Sequence, residues 1–196
     1  RHFGQSPFGM RKTGQHRARF LIESLEVLQK NLKAIGGHLI IRNGKPEEMI
    51  PELFLKYGMD AVYFHEEVTR EEIDVEEALE ENLPDGSLQA FWGSTLFHYD
   101  DLPFGIENFP KVFTAFRKKV EKYSEIRMVY PQPESLNTRS DLKTDPIPKP
   151  EDLGLRSPVM DDRSVLPFDG GEDAGKNRLQ AYFWERDKLK SYKRTR

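Results

Sequence analysis

The chain has 196 residues, a net charge of −3 and no cysteine. That length can bury one ordinary core, while the charge balance gives no global attraction for nucleic acid, so any such surface has to be local. The lack of thiols excludes disulfides, iron–sulfur clusters, a thiol nucleophile and a thiolate zinc site, in keeping with a soluble protein of a reducing compartment (cytoplasm, nucleus or organelle). No apolar run reaches the ~18 residues of a membrane span, and no secretory signal is present. Arg1 opens in loop chemistry and Arg196 stops inside a charged helical pattern, so the expectation is a fragment.

Residues 1–12 mix glycine, proline and aromatics without a period and read as loop. Thr13 is placed to cap a helix whose stripe, Leu21, Leu25, Leu28, Leu32 and Ile35, ends at Gly36-Gly37. HLIIR (38–42) predicts a short buried strand. Pro46 then opens a helix with Met49, Ile50, Leu53, Phe54 and Tyr57 on one face, closed by Gly58. AVYFH (61–65) predicts a second strand. Thr69 and Glu72 have capping-box spacing for a helix over 70–82, and Pro84-Asp85-Gly86 turns the chain into a third buried strand, 87–92. Pro110 is expected to open a further helix with Val112, Phe113, Phe116, Val120 and Tyr123 inward. Alternating strands and helices are the signature of an α/β fold, a Rossmann-like parallel sheet under covering helices. From 126 to 169 prolines and polar residues leave no period, which predicts a long connector, and 170–196 return to a helical pattern with Leu179, Phe183, Arg186 and Lys190 on one face.

Several residues have both a bland and a functional meaning. Nine acids face one arginine across Glu66–Glu81, a solvated face that would repel a phosphate backbone. Glu67, just past a strand end, is either a helix-opening acid or a carboxylate free to accept hydrogen bonds from a ligand. Asn108 is either a turn residue before Pro110 or a pocket residue. Between Lys176 and Arg196 eight bases are interleaved with Tyr182, Phe183, Trp184 and Tyr192, which suits phosphate and ring contacts or simply a solvated basic side. The histidines are scattered without metal-ligand spacing. No Walker loop, GxGxxG or nucleophile elbow is present.

The stretch FWGSTLFHYDDLPF (91–104) is where an open sheet would place a ligand, beyond a strand's carboxyl end. It resembles the matching segment of DASH-type cryptochromes in the DNA photolyase/cryptochrome family. KTGxxRxxFLIES (12–24), RNGKPEE (42–48), KVFTAFRKKVE (111–121), EDLGL (151–155) and GGE…RLQAYFW…SYKRTR follow in family order. The resemblance implies an antenna domain over 1–125 lacking its first two strands, an interdomain linker over 126–169, and the start of an all-helical FAD-binding domain over 170–196. In the family's sheet order a gap would fall between 38–42 and 61–65, and the chain is expected not to fold stably alone.

The function the resemblance implies is a blue-light flavoprotein that repairs cyclobutane pyrimidine dimers in single-stranded DNA, a monomer with FAD and a methenyltetrahydrofolate antenna. The alternatives are a photoreceptor signalling through protein partners and a stand-alone nucleotide-binding module. The resemblance assigns Glu67 to the folate pterin, Asn108 (with Arg1, His2 and Phe3) to the antenna pocket wall, Tyr192 to the flavin and Arg196 to a DNA phosphate. Arg194 stands where the family usually has an acid. The family's flavin-reducing tryptophans would lie outside the chain, which leaves Trp92 and Trp184 as core residues.

Overall fold

A computed structural model of the chain describes residues 3–5, 9–159, 163 and 168–195. These gather into two compact units, 44–132 and 1–43 with 133–196.

In the unit 44–132, helix α2 (Pro46–Tyr57) starts with proline in its first turn beside Glu47 and Glu48, whose charges suit the positive end of the helix. Strand β1 (Val62–His65), helix α3 (Arg70–Asn82) and strand β2 (Leu88–Phe91) follow. β1 and β2 are parallel neighbours in the register Val62↔Leu88 through His65↔Phe91, as a strand–helix–strand crossover requires. One face of the pair is covered. Phe54, Leu79 and Leu83 are buried there, with Ile50, Met59, Val62, Val75 and Leu88 packed around them, and each fully buried aliphatic or aromatic side chain is worth about 1.5–3 kcal/mol. On the other face Tyr63 and Phe91 stay 70% and 55% exposed, their rings 5.9 Å apart. The two strands are thus covered on one face only, and 87–92 is less buried than expected.

Two local expectations are corrected in this unit. Thr69 is the N-cap of α3, but its hydroxyl makes no capping hydrogen bond, so the box with Glu72 does not form. Helix α4 (Phe113–Tyr123) begins three residues after Pro110, and of its expected inward set only Val120 is fully buried. Phe113 instead stacks on Phe116, which joins Phe104 and Phe109 in an aromatic cluster with centroids 5.2–5.8 Å apart. Aromatic rings satisfy one another at such spacings without a deep core.

In the other unit, helix α1 (Gln15–Ala34) is capped by Gly14, with Thr13 buried behind it. Residues 38–42 do not form the expected strand. No strand lies beside them among the described residues, and the connector satisfies their backbone instead. Ile41 N–H donates to Thr144 Oγ1 at 2.7 Å, and Asp145 N–H donates to the Ile41 carbonyl at 3.2 Å. Arg42 donates to the Lys143 carbonyl at 2.8 Å and pairs with Asp145 at 3.3 Å.

Helix α5 (Glu172–Gln180) docks on α1 through Gly170-Gly171. Gly170 N–H donates to Glu23 Oε2 at 2.7 Å, and Gly171 N–H donates to Ser24 Oγ at 2.9 Å. Gly171 has φ +94°, and a Cβ there would sit 2.6 Å from Val27 Cγ2, so both its conformation and its clearance call for glycine. The expected continuous terminal helix is interrupted by a π turn at Ala181–Glu185 and by Asp187 at φ 45°. Trp184 is 66% exposed, contrary to a core role, whereas Trp92 is half-buried against Tyr99.

Candidate functional site at the carboxyl edge of the sheet

Because β1 and β2 run parallel, both carboxyl ends open on one edge, where open α/β sheets bind ligands. Pairing continues one step past β1, with Glu66 N–H donating to the Phe91 carbonyl at 3.0 Å. His65 packs against the second residue of the next loop so closely that a Cβ on Gly93 would meet its imidazole at 2.5 Å. Glu67 follows and is exposed. Its N–H donates to Glu76 Oε1 at 3.2 Å, and its carboxylate accepts no hydrogen bond among the described residues.

Burial first, then the charges of Glu66, Glu67 and Glu80, push the Glu76 carboxyl above its ordinary range, while the Glu67 N–H pulls the other way. The acidic helix, read from the sequence as a solvated face, half-buries Glu71, Glu72, Asp74 and Glu76, and Glu76 reaches back to the sheet edge. An acid nine residues from Glu67 carries no local pattern that would have revealed this.

The loop after β2 is ordered by its own side chains. Trp92 Nε1–H donates to Thr95 Oγ1 at 2.7 Å, and that hydroxyl donates to the Phe97 carbonyl at 2.6 Å. The Tyr99 ring meets Trp92 edge-on at 5.4 Å and lies 4.6 Å from His98. A 3-10 turn at Tyr99–Asp101 places Asp101 against Arg127, bound through both oxygens at 2.6 and 2.9 Å. Ser124 Oγ–H donates to the Asp101 carbonyl at 2.8 Å. The guanidinium beside it holds the Asp101 carboxyl below its usual range. Arg127 follows α4, 26 residues away in sequence, and closes a loop that the sequence marked only by its Asp-Asp pair.

Asn108 ends a second 3-10 turn, Ile106–Asn108, where it is exposed and donates to Glu107 Oε1 at 3.1 Å. No hydrogen bond or ion pair among the described residues joins it to Glu67. Phe3 lines a cavity of about 230 Å³ within its own unit, with Arg11, Thr13 and Leu153–Leu155. Tyr192 opens the last helical turn, α6 (Tyr192–Thr195), and is 50% exposed. Arg1, His2 and Arg196 lie outside the described residues. Among the described bases of the terminal segment, Lys176 pairs with Glu172 at 2.9 Å, Lys190 pairs with Asp187, and Arg178 lies 4.9 Å over the Phe168 ring.

No helix among the described residues is long and apolar enough to cross a membrane. The sequence profile of the DNA photolyase family matches residues 2–137. Over 100% of its length the chain is 48% identical to a protein named Cryptochrome DASH from Gloeobacter violaceus, of which it covers 40%. Against the Xenopus laevis protein of that name, identity is 43% and coverage 39% of that protein. A solved cryptochrome from Synechocystis superposes on 100% of this chain and 41% of its own, with a TM-score of 0.90 and 41% identity. The chain therefore spans about two-fifths of the length of the relatives it matches. It belongs to the DNA photolyase family, alongside the proteins named Cryptochrome DASH.

Proposed function

We propose that this chain is the antenna-bearing portion of a longer blue-light flavoprotein, a DASH-type cryptochrome that repairs cyclobutane pyrimidine dimers in single-stranded DNA. The whole-length match to the Synechocystis cryptochrome is the observation that carries the proposal. Residues 1–125 act as the antenna side, 126–169 as the linker and 170–196 as the opening of the flavin-binding helices. When bound, the folate supplies absorbed light and reduced FAD supplies the electron that splits the dimer.

The Glu67 carboxylate beyond the sheet edge has the chemistry a folate would need. The exposed Glu67 carboxylate has both oxygens uncommitted and can accept two parallel N–H bonds from a pterin edge. Asn108, which family resemblance assigns to the pocket wall, would offer an amide there. In this reading the ordered loop 92–104, clamped by Arg127, would border the ring. A flavin is a different matter. Tyr192 is half-exposed, and alone it does not enclose an isoalloxazine, so no step of the flavin chemistry rests on the described residues.

The test is the absorption spectrum of the purified full-length protein, followed by blue-light irradiation with dimer-containing single-stranded DNA. Flavin absorbance with dimer loss that requires light supports the proposal. Flavin absorbance without dimer loss points to signalling, and the absence of flavin contradicts both.

A further inference from the structure

Glu77, Glu80 and Glu81 of α3 are exposed, whereas Glu71, Glu72, Asp74 and Glu76 are half-buried, and Arg70 pairs with Asp74 at 2.7 Å and Glu77 at 3.4 Å. Glu76 bonds to backbone outside the helix. Half-buried, it reaches back over nine residues to accept the Glu67 backbone N–H at 3.2 Å. The preceding peptide is held from the sheet side by the 3.0 Å bond from Glu66 N–H to the Phe91 carbonyl. The corner from which the Glu67 side chain departs is thus fixed twice, once by a strand and once by a helix side chain.

This arrangement works against ordinary electrostatics. Glu66 and Glu67 face Glu76 from the corner and Glu80 faces it from one turn along α3, and all three act to keep it protonated. None of these four carboxylates has a cationic partner among the described residues. A carboxylate partly withdrawn from water among like charges is disfavoured unless something needs its oxygen where it is.

We propose that Glu76 is a positioning residue for Glu67: as acceptor of the Glu67 N–H, it sets the direction in which the ligand-binding carboxylate leaves the sheet edge. The inference rests on the proposed role of Glu67, and the experiment separates the two.

Equilibrium binding of methenyltetrahydrofolate is measured with the full-length protein carrying Glu76→Ala, Glu76→Gln or Glu67→Gln, with flavin absorbance as the check on folding. Losing one hydrogen bond of about 1.4 kcal/mol predicts about tenfold weaker binding for Glu76→Ala. The glutamine carbonyl can accept the same N–H, so Glu76→Gln is expected to bind within about threefold of wild type at neutral pH.

A pH profile supplies a readout that packing alone would not move. Protonation of Glu76 weakens its hold on the N–H, and its proton affinity is raised, so wild-type binding declines from the upper carboxylate range downward. In Glu76→Gln that part of the acid limb is absent and the decline starts at lower pH. Hydrogen exchange at the Glu67 amide is expected to quicken in Glu76→Ala and to stay slow in Glu76→Gln. If Glu67→Gln loses the folate while Glu76→Ala keeps it, the positioning role is wrong and the Glu67 role stands. If Glu76→Gln binds as weakly as Glu76→Ala, packing rather than the acceptor is at work and the proposal fails. Unchanged binding in Glu67→Gln overturns both.

Discussion

Asp101 and Arg127 lock the loop that borders the sheet edge, and their chemistry fixes a pH dependence. Hydrogen bonding to the guanidinium lowers the Asp101 carboxyl from its ordinary 3.8. A group whose folded-state value is depressed stabilises the fold above its unfolded value, and that contribution is lost as pH falls through the depressed one. Loop amides near 98–102 should therefore keep their hydrogen-exchange protection down into the acid range and lose it only there. Arg127→Gln should be less protected at neutral pH and converge with wild type in acid. Equal protection at neutral pH would mean that the ion pair does not order the loop. The Asp-Asp pair was visible in the sequence, but the partner was not, because nothing local in 126–130 announces a contact 26 residues upstream. Glu76 was hidden for the same reason, as one acid among nine.

At the level of elements, the docking of α5 on α1 depends on a backbone that can approach closely. Gly171→Ala would place a methyl group against Val27 at a position with φ +94°. Overpacking and left-handed strain together are expected to cost about 2 kcal/mol or more. Limited proteolysis of the full-length protein should then cut near 168–172 where wild type resists, and an unchanged pattern would contradict the docking. Helices with a long apolar stripe or a proline start were legible in the sequence, as α1 and α2 show. So was the strand–helix–strand unit β1–α3–β2, whose period changes from two to 3.6. What failed were features decided by distant partners. Residues 38–42 have strand-forming side chains but bond to 143–145. The terminal stretch has helical spacing, yet a π turn and Asp187 break it. The position of Glu67 at a strand's carboxyl end followed from local pattern, and its ligand role came only from family resemblance.

For the whole chain, the decisive quantity is how little it buries. Only Ala18, Ile41, Phe54, Tyr57, Leu79, Leu83 and Val120 are buried among the described apolar residues, while Tyr63, Phe91, Val112 and Phe113 are exposed. Burial on that scale does not offset the chain entropy of 196 residues. The isolated chain should melt without a cooperative transition, and a sharp calorimetric peak would contradict this.

Light gathered at the edge marked by Glu67 is the central claim, and the fluorescence excitation spectrum of the full-length protein, loaded with methenyltetrahydrofolate and read at flavin emission, tests it most directly. Wild type should show the folate band in addition to the flavin's own, and Glu67→Gln should lose the folate band while the flavin band stays. A folate band that survives intact in Glu67→Gln would contradict the account.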